Sequence, residues 1–221
     1  MVFLAGTKCA PGLDEKLNNW YNGTCVPMLL KSQHLEAVIR YKLAPVVEGE
    51  YPPYLAIYEF KERKDFEAWM SGPEVLAAHE EAQQTWADGG FEVPWLVPYE
   101  PLKTWHKIEL DTEPVKLVVG TQCRPDDDEK FNNWYNETHI PMLLESEHVV
   151  GATRYKITPG TEGEYPAYLA LYNYKNVQAF EKWYSGPEIM AARKEKKETW
   201  VDDDFEGKWI AVYEPLKTWR K

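Results

Sequence analysis

His139 is the side chain whose type and position best suit proton-transfer chemistry. A neutral imidazole takes up or releases a proton readily near pH 7. On a helical wheel, His139 lies at the border of an apolar face. Pro141 removes one backbone donor and disfavours helical angles at Ile140. We therefore expect the helix to kink or end one residue after His139, which would open a gap beside the imidazole. The alternative is a buried histidine that is hydrogen-bonded to a backbone carbonyl.

Polar and aromatic side chains on two predicted strands could complete such a site. A strand arginine that enters a core, such as Arg154, needs a partner or an anionic ligand. Tyrosine hydroxyls on the next strand could orient a carbonyl or a phenolate. We predict His139 as the general acid/base, with Arg154 and Tyr172 as catalytic partners. The predicted substrate contacts are Trp134, Tyr135, Asn136 and Tyr168. The alternative is a structural Arg–Glu pair with aromatic packing.

Other kinds of site have little support in the sequence. No two histidines stand at i,i+4 and no C-x-x-C occurs, so we expect no metal site. No G-x-G-x-x-G or P-loop appears, so we expect no nucleotide cofactor. No recognisable elbow motif could supply a Ser/His/Asp triad. Haem is the one cofactor that the sequence leaves open. An intense Soret band in the purified protein would indicate it, with His139 as the candidate axial ligand.

The charge balance excludes several partners. The net charge is −11 and the pI is about 5.0, whereas a nucleic-acid binder needs a basic patch. One short basic cluster at 193–197 is interleaved with Glu195 and Glu198, which is typical of a solvated helix face with i,i+3 and i,i+4 pairs. We therefore expect no nucleic-acid or membrane partner. Three cysteines, no signal-like segment and no long apolar run favour a reduced, cytoplasmic protein.

The sequence repeats itself without a gap. Ser71-Gly72-Pro73-Glu74 recurs as Ser185-Gly186-Pro187-Glu188, which is 114 positions later. The same shift aligns Leu17–Asn22 with Phe131–Asn136. We predict one repeat over residues 1–107, a linker over 108–115 and a second repeat over 116–221. Two such copies usually replace a symmetric homodimer within one chain, and a further homodimer stays open.

The pattern within each repeat predicts an α+β unit. Strands are expected at 116–122, 149–157, 168–174 and 209–213, and helices at 129–144 and 177–200. Asp126 or Asp127 could cap the first helix, and Pro187 suits the start of a resumed helix after a break. The order β-α-β-β-α-β is that of the ferredoxin-like split unit, with an antiparallel sheet and both helices on one face. Two such sheets packed together would form an intramolecular, pseudo-dimeric α+β barrel.

The run 130–144, KFNNWYNETHIPMLL, resembles the W-x-N-E-H-x-P signature of the dimeric α+β barrel superfamily. Segments 151–155 and 180–188 resemble that family's second strand and the start of its second long helix. The likeness is greatest to the EthD-like branch. The superfamily includes cofactor-free monooxygenases, cyclases, isomerases, haem enzymes and proteins of unknown role. The resemblance therefore implies the fold and a small-molecule pocket more directly than it implies a reaction.

The two repeats differ around the candidate histidine. Cys25 stands where the second repeat has His139, and Gly23 stands where it has Glu137. Because duplication frees one copy to drift, we expect the second repeat to hold the active pocket. The predicted function is a cofactor-independent lyase, isomerase or cyclase step on a small aromatic or carbonyl-bearing compound. The alternatives are a non-catalytic small-molecule binding or stress-associated protein and a cofactor-free monooxygenase.

Overall fold

Strands and helices follow one another in the same order in the two halves of the chain. The computed structural model describes residues 1–200 and 205–221. The first half contains β1 (Val2–Cys9), α1 (Asp14–Trp20), α2 (Val26–Leu29), β2 (Ala37–Leu43), β3 (Tyr54–Glu59), α3 (Arg63–Met70), α4 (Pro73–Thr85) and β4 (Phe91–His106). The second contains β5 (Val115–Cys123), α5 (Asp128–Trp134), α6 (Ile140–Leu144), β6 (Val149–Ile157), β7 (Tyr168–Tyr174), α7 (Val177–Tyr184), α8 (Pro187–Thr199) and β8 (Phe205–Arg220). The fold is therefore mixed α+β, as the sequence pattern predicted.

The chain divides into two compact units that do not coincide with its two halves. The first unit comprises Met1–Lys42, Pro52–Glu100 and Leu216–Lys221, and the second comprises Leu43–Tyr51 and Pro101–Pro215. The end of β8 thus belongs to the first unit, and the end of β4 belongs to the second.

An exposed ion pair lies at each of these two strand ends. In the first unit, Arg220 Nη1 donates to Glu59 Oε2 at 2.9 Å. In the second, Lys103 Nζ donates to Glu137 Oε1 at 2.8 Å.

Each unit has an antiparallel sheet with its long strand at one side. The order is β4-β1-β3-β2 in the first unit and β8-β5-β7-β6 in the second. Glycine allows a close approach at the same point of both sheets. A Cβ at Gly6 would lie 2.7 Å from Pro52 Cγ, and one at Gly120 would lie 2.6 Å from Pro166 Cγ. These glycines are required because a larger residue would displace the proline that packs on the strand.

Aromatic side chains build a separate core in each unit. The first core includes Trp20, Tyr58 and Trp69, and the second includes Trp134, Tyr172 and Trp183. Both cores lie between the sheet and the helices, because alternate strand residues point to that face and the helices present an apolar stripe to it. The rings meet at centroid distances such as 5.5 Å for Tyr58 and Trp69, which is typical of tilted aromatic pairs.

Several local predictions are confirmed and others are wrong. The helix break falls where expected, since α7 ends at Tyr184 and Pro187 stands in the first turn of α8. Asp127 precedes α5, but its side chain makes no cap hydrogen bond, because it accepts from Arg124 Nε at 2.9 Å instead. The last strand, predicted at 209–213, extends over Phe205–Arg220. The second half of this strand is largely polar, so a search for apolar runs does not detect it. No helix in the described part of the chain is long and apolar enough to cross a membrane.

Candidate functional site

A π-helical turn stands where the sequence predicted a kink beside His139. The turn spans Tyr135–His139, and Ile140 keeps helical angles of φ −62° and ψ −46°. The Ile140 N–H donates to the carbonyl of Tyr135, five residues back. Pro141 therefore does not end the helix, because the wider turn accommodates its missing donor. The first unit has the same device, with a π-helical turn over Tyr21–Cys25. Such turns often occur at functional sites.

The His139 ring packs on two aromatic side chains. It stacks on Trp134 at a centroid distance of 4.6 Å and meets the edge of Tyr135 at 5.0 Å. Its Nδ1 is enclosed and has no hydrogen-bond partner among the described residues. Burial, aided by the positive charges of Lys196 and Arg154, lowers the pKa of His139 to about 4. The imidazole is thus neutral at pH 7.

Arg154 lies at the centre of a buried cluster in the second unit. Its guanidinium lies over the rings of Tyr135 and Tyr168, at 4.3 and 5.1 Å from their centroids. Arg154 Nη1 donates to Asn136 Oδ1 at 2.8 Å, while the buried Nη2 has no partner in the described part of the chain. The predicted Arg–Glu alternative is therefore absent from the described residues, and aromatic faces take the place of a carboxylate.

Two tyrosine hydroxyls meet beside this arginine. Tyr172 donates to the hydroxyl of Tyr135 at 3.1 Å. Burial raises the pKa of both phenols above the usual range, so both stay protonated. The structure thus brings all seven predicted site residues into one region of the second unit.

Sequence reasoning missed two carboxylates that hold this region in place. Glu195 accepts from Trp134 Nε1 at 2.9 and 3.0 Å. Asp128 accepts from the hydroxyl of Tyr168. The repeat itself contained the signal, since Glu81 accepts from Trp20 Nε1 and Asp14 accepts from Tyr54 in the first unit.

The first unit contains an apolar cavity of about 220 Å³ between its sheet and its helices, and exposed residues such as Met70 and Leu96 form part of its wall. Aromatic rings form much of its wall: Phe3, Trp20, Tyr21, Tyr58, Trp69 and Phe91. The titratable side chains in the wall, besides the tyrosines, are Cys25 and His79. Burial raises the pKa of the Cys25 thiol to about 12, so the thiol is not a nucleophile at neutral pH. His79 is exposed and stands on α4.

Three wall positions of this cavity carry smaller side chains in the first unit than in the second. The wall positions Ala5, Val75 and Ala82 correspond to Val119, Ile189 and Lys196 in the second unit. The wall residue Cys25 corresponds to His139, whose ring fills space against Trp134. This cavity therefore lies in the repeat that lacks the histidine.

The polar framework beside the cavity matches that of the second unit. The hydroxyls of Tyr21 and Tyr58 are 2.6 Å apart, and the Arg40 guanidinium lies 4.3 Å from the Tyr21 ring centroid. Arg40 Nη1 donates to Asn18 Oδ1 at 3.0 Å and to Asn22 Oδ1 at 2.7 Å. Burial raises the pKa of both tyrosines above the usual range, so they act as hydrogen-bond donors rather than bases.

Neither the described side chains nor the cavity offers an evident cofactor site. In residues 1–200 and 205–221, no group of three or more His, Cys, Asp or Glu side chains is arranged to hold a metal ion. The cavity of about 220 Å³ has room for one or two rings and is too small for the four pyrroles of a haem. What this arrangement can do chemically is enclose a small apolar molecule and offer hydroxyl groups to its polar atoms.

Comparison with known proteins supports the fold and leaves the family open. Residues 117–212 match a domain of unknown function, DUF4286. No curated protein matches the sequence. A candidate monooxygenase from Fusobacterium nucleatum has a similar structure, with a TM-score of 0.66, 11% identity, and coverage of 100% of this chain and 94% of that one.

Two further structures are similar along nearly the whole chain. For an anthrone oxidase-like protein the TM-score is 0.67 at 14% identity, with 99% and 92% of the two chains covered. For a mutant chlorite dismutase from Candidatus Nitrospira defluvii the TM-score is 0.58 at 10% identity, with 98% and 90% covered. The fold therefore resembles that of dimeric α+β barrel proteins, which is the superfamily that the sequence resemblance indicated.

Proposed function

We propose that the chain is a cofactor-independent enzyme that carries out a lyase, isomerase or cyclase step on a small aromatic or carbonyl-bearing compound. The observation that carries this proposal is the pair of protonated hydroxyls, Tyr21 and Tyr58, in the wall of an apolar cavity of about 220 Å³. A cavity of about 150 Å³ is enough to bind benzene, so this one suits a compound of one or two rings. We accordingly place the substrate in the first unit rather than the second.

The wall groups have complementary roles in such a reaction. His79 takes a proton from a carbon next to the substrate carbonyl, since it is the titratable wall residue other than the tyrosines and the inert thiol. One hydroxyl of the Tyr21–Tyr58 pair donates to the other, and the second donates a hydrogen bond to the oxygen that gains negative charge. Arg40 does not line the cavity, but its guanidinium lies against the ring of Tyr21. It is therefore a positioning residue, and its positive charge favours negative charge on a substrate oxygen bound at the tyrosine hydroxyls.

The second unit is the alternative location for the same chemistry. There His139 would be the general acid/base, Arg154 and Tyr172 its catalytic partners, and Trp134, Tyr135, Asn136 and Tyr168 the substrate contacts. The unpartnered Nδ1 of His139 and Nη2 of Arg154 support this location. A pKa of about 4 argues against it, because an imidazole that is hard to protonate is a weak base at pH 7.

A cofactor-free monooxygenase is the second candidate function. It is favoured by the likeness to a candidate monooxygenase and to an anthrone oxidase-like protein. In this case the tyrosine pair would bind the phenolic oxygen of an electron-rich substrate, and the apolar wall of the cavity would hold the aromatic ring.

Turnover of a panel of hydroxylated and carbonyl-bearing aromatic compounds, measured under air and under nitrogen, separates these functions. A lyase, isomerase or cyclase works equally well under nitrogen, whereas a monooxygenase stops. Binding without turnover of any compound would leave the non-catalytic alternative.

Matched variants locate the site once a substrate is found. Removing one oxyanion donor typically costs about 10²–10³ in kcat, so we expect that loss for Tyr58→Phe and none for Tyr172→Phe. A matching loss is expected for His79→Gln, because a positioned acid/base contributes about 10²–10⁴. If Tyr172→Phe and His139→Gln abolished turnover while Tyr58→Phe did not, the active site would be the one in the second unit.

We infer in addition that the chain is a tandem duplication of the EthD-like type, with repeats at 1–107 and 116–221 and a linker at 108–115. The support is the gapless shift of 114 residues and the recurrence of the buried Arg–Tyr–Tyr group in each unit. In this interpretation one chain provides what two identical chains provide in a dimer.

A further inference from the structure

We propose that a groove beside α8 in the second unit binds a small amphipathic anion, such as an aromatic carboxylate, sulfonate or phosphate monoester. The groove has a volume of about 480 Å³, which lies within the usual range for small-molecule sites. Its lining is Met190, Arg193, Lys194, Lys196, Lys197 and Trp200. The proposal concerns a second site and is independent of the reaction assigned to the first unit.

Three of these cations form no ion pair with a carboxylate of residues 1–200 or 205–221. Lys194 pairs with Glu198 at 3.8 Å. The neighbouring Glu195 faces the other way, since its carboxylate accepts from Trp134 Nε1 and from the hydroxyl of Thr199. Within the part of the chain that the structure describes, Arg193, Lys196 and Lys197 form no ion pair.

Aromatic rings hold two of the unpaired cations at the groove. Arg193 lies over the ring of Tyr184 at 4.6 Å from its centroid, and Lys196 lies over Phe205 at 4.2 Å. The sequence pattern, read as a solvated helix face with regular pairs, therefore accounts for only part of this cluster. Unpaired cations are notable in a chain of net charge −11.

The first unit has a different set of residues at these positions. Arg193, Lys194, Lys196 and Lys197 correspond to His79, Glu80, Ala82 and Gln83. The shared fold does not require positive charge here, because the first unit folds without it. This difference points to a function that is specific to the second unit.

The groove also has an apolar component, which defines the class of ligand. Met190 is 58% exposed, although it is a large hydrophobic side chain, and the buried Trp200 contributes to the same lining. A ligand with an anionic head and a one- or two-ring body would satisfy both parts. A nucleic acid is disfavoured because the patch covers only about two turns of one helix on an acidic chain.

Calorimetric titration with naphthalene-1-sulfonate tests the proposal, with uncharged 1-naphthol as the comparison. The variant Arg193→His/Lys196→Ala/Lys197→Gln introduces the residues of the first unit. The control Lys42→Gln/Lys61→Gln/Lys175→Gln removes three exposed cations elsewhere, so it changes the net charge about equally. Circular dichroism checks that both variants keep the native fold.

We expect the sulfonate to bind and the groove variant to weaken its binding at least tenfold. One exposed charge pair changes an equilibrium constant by up to about fivefold, and three cations are removed. The control variant should change the sulfonate affinity by no more than about twofold. The affinity for 1-naphthol should be the same in the groove variant as in the native chain. Raising the salt from about 0.05 to about 0.5 M should also weaken sulfonate binding.

An independent readout is available at His139. The positive charge of Lys196 helps to lower the pKa of His139, so a bound anion should raise that pKa in an NMR titration. The proposal fails if the sulfonate does not bind, if the groove variant binds it as well as the native chain does, or if the control weakens binding equally. Tighter binding of a short DNA duplex than of the sulfonate would make the groove a nucleic-acid site instead.

Discussion

Filling the cavity of the first unit should stabilise the protein and abolish binding of a small aromatic probe. The variant Ala5→Val/Val75→Ile introduces the residues that the second unit has at Val119 and Ile189. Ala5 and Val75 both line the cavity of about 220 Å³, so the added methyl groups enter existing space. The valine also suits its position in β1, because β-branched residues are favoured in strands.

The expected gain follows from the number of carbons buried. The two changes add three methyl or methylene groups, each worth about 0.8 kcal/mol when buried, which gives an upper limit of about 2.4 kcal/mol. Fixing the longer side chains costs about 0.5–1 kcal/mol. We therefore expect the free energy of unfolding to rise by about 1–2 kcal/mol. For a chain of this size, this gain corresponds to an increase in Tm of about 2–8 °C.

Calorimetry with 1-naphthol and a thermal scan give the two readouts. We expect at least a tenfold loss of naphthol affinity together with the higher Tm. The reverse variant, Val119→Ala/Ile189→Val, is the matched control and should lose stability without changing naphthol binding, since Ile→Val alone costs about 0.5–1.5 kcal/mol. A drop in stability in the cavity variant would mean that the added groups are overpacked. Unchanged naphthol affinity would mean that the probe binds elsewhere.

Three further predictions concern individual residues. The pKa of His139, about 4 in the folded protein against an ordinary 6.5, means that only the unfolded chain takes up this proton between about pH 6.5 and 4; stability should therefore fall by about 3 kcal/mol across that window. Urea titrations should show this fall in the native chain and not in His139→Gln. Gly151→Ala should cost about 1–3 kcal/mol in urea denaturation, because its Cβ would lie 2.8 Å from the carbonyl oxygen of Trp105; unchanged stability would contradict the close packing of β6 on the end of β4. An aromatic disulfide reagent at about pH 8 should label the partly exposed Cys9 before the buried Cys25 and Cys123; faster labelling of Cys25 would contradict a thiol pKa of about 12.

The strands β6 and β7 were predictable because their apolar runs are bounded by turn residues on both sides. Two features of the helices were harder to predict. The prediction of a helix cap at Asp127 was wrong, because the Asp127 carboxylate accepts a hydrogen bond from Arg124 instead. The helix does not end after His139, because a helix has two responses to a missing donor: it can end, or it can widen into a π-helical turn. The choice between them depends on packing on both sides of the turn, which the local sequence does not specify.

The candidate site shows the same limit in a different form. Residue type and the repeat led to Arg154, Tyr135 and Tyr172, and these side chains do meet in the structure. The size of the space around them depends on which neighbours face the helices. The difference between Ala5 and Val119 was visible in the sequence, but its meaning required the register of β1 against β3 and β4. The sequence prediction of a pocket in the second unit therefore stays a prediction, and the cavity in the first unit was not anticipated.

A residue that is present in both units cannot by itself explain a difference between them. The arginine over a tyrosine ring recurs with the same 4.3 Å separation at Arg40 and Arg154, and each unit pairs two tyrosine hydroxyls. The arginine and the two tyrosines therefore form a scaffold common to both units, which holds protonated phenols at a fixed place against the sheet.

The lining around the scaffold then decides what each unit can bind. Small residues line an apolar cavity in the first unit, whereas Val119, His139, Ile189 and Lys196 stand at the corresponding positions of the second. Transferring the lining should therefore transfer the ligand preference without disturbing the scaffold. The sharpest single case is Cys25→His, which places an imidazole against Trp20. If the lining residues determine which ligand binds, Cys25→His alone should abolish 1-naphthol binding and leave the Tyr21–Tyr58 hydrogen bond intact. If the Arg–Tyr–Tyr scaffold determines it, Cys25→His should leave 1-naphthol binding unchanged.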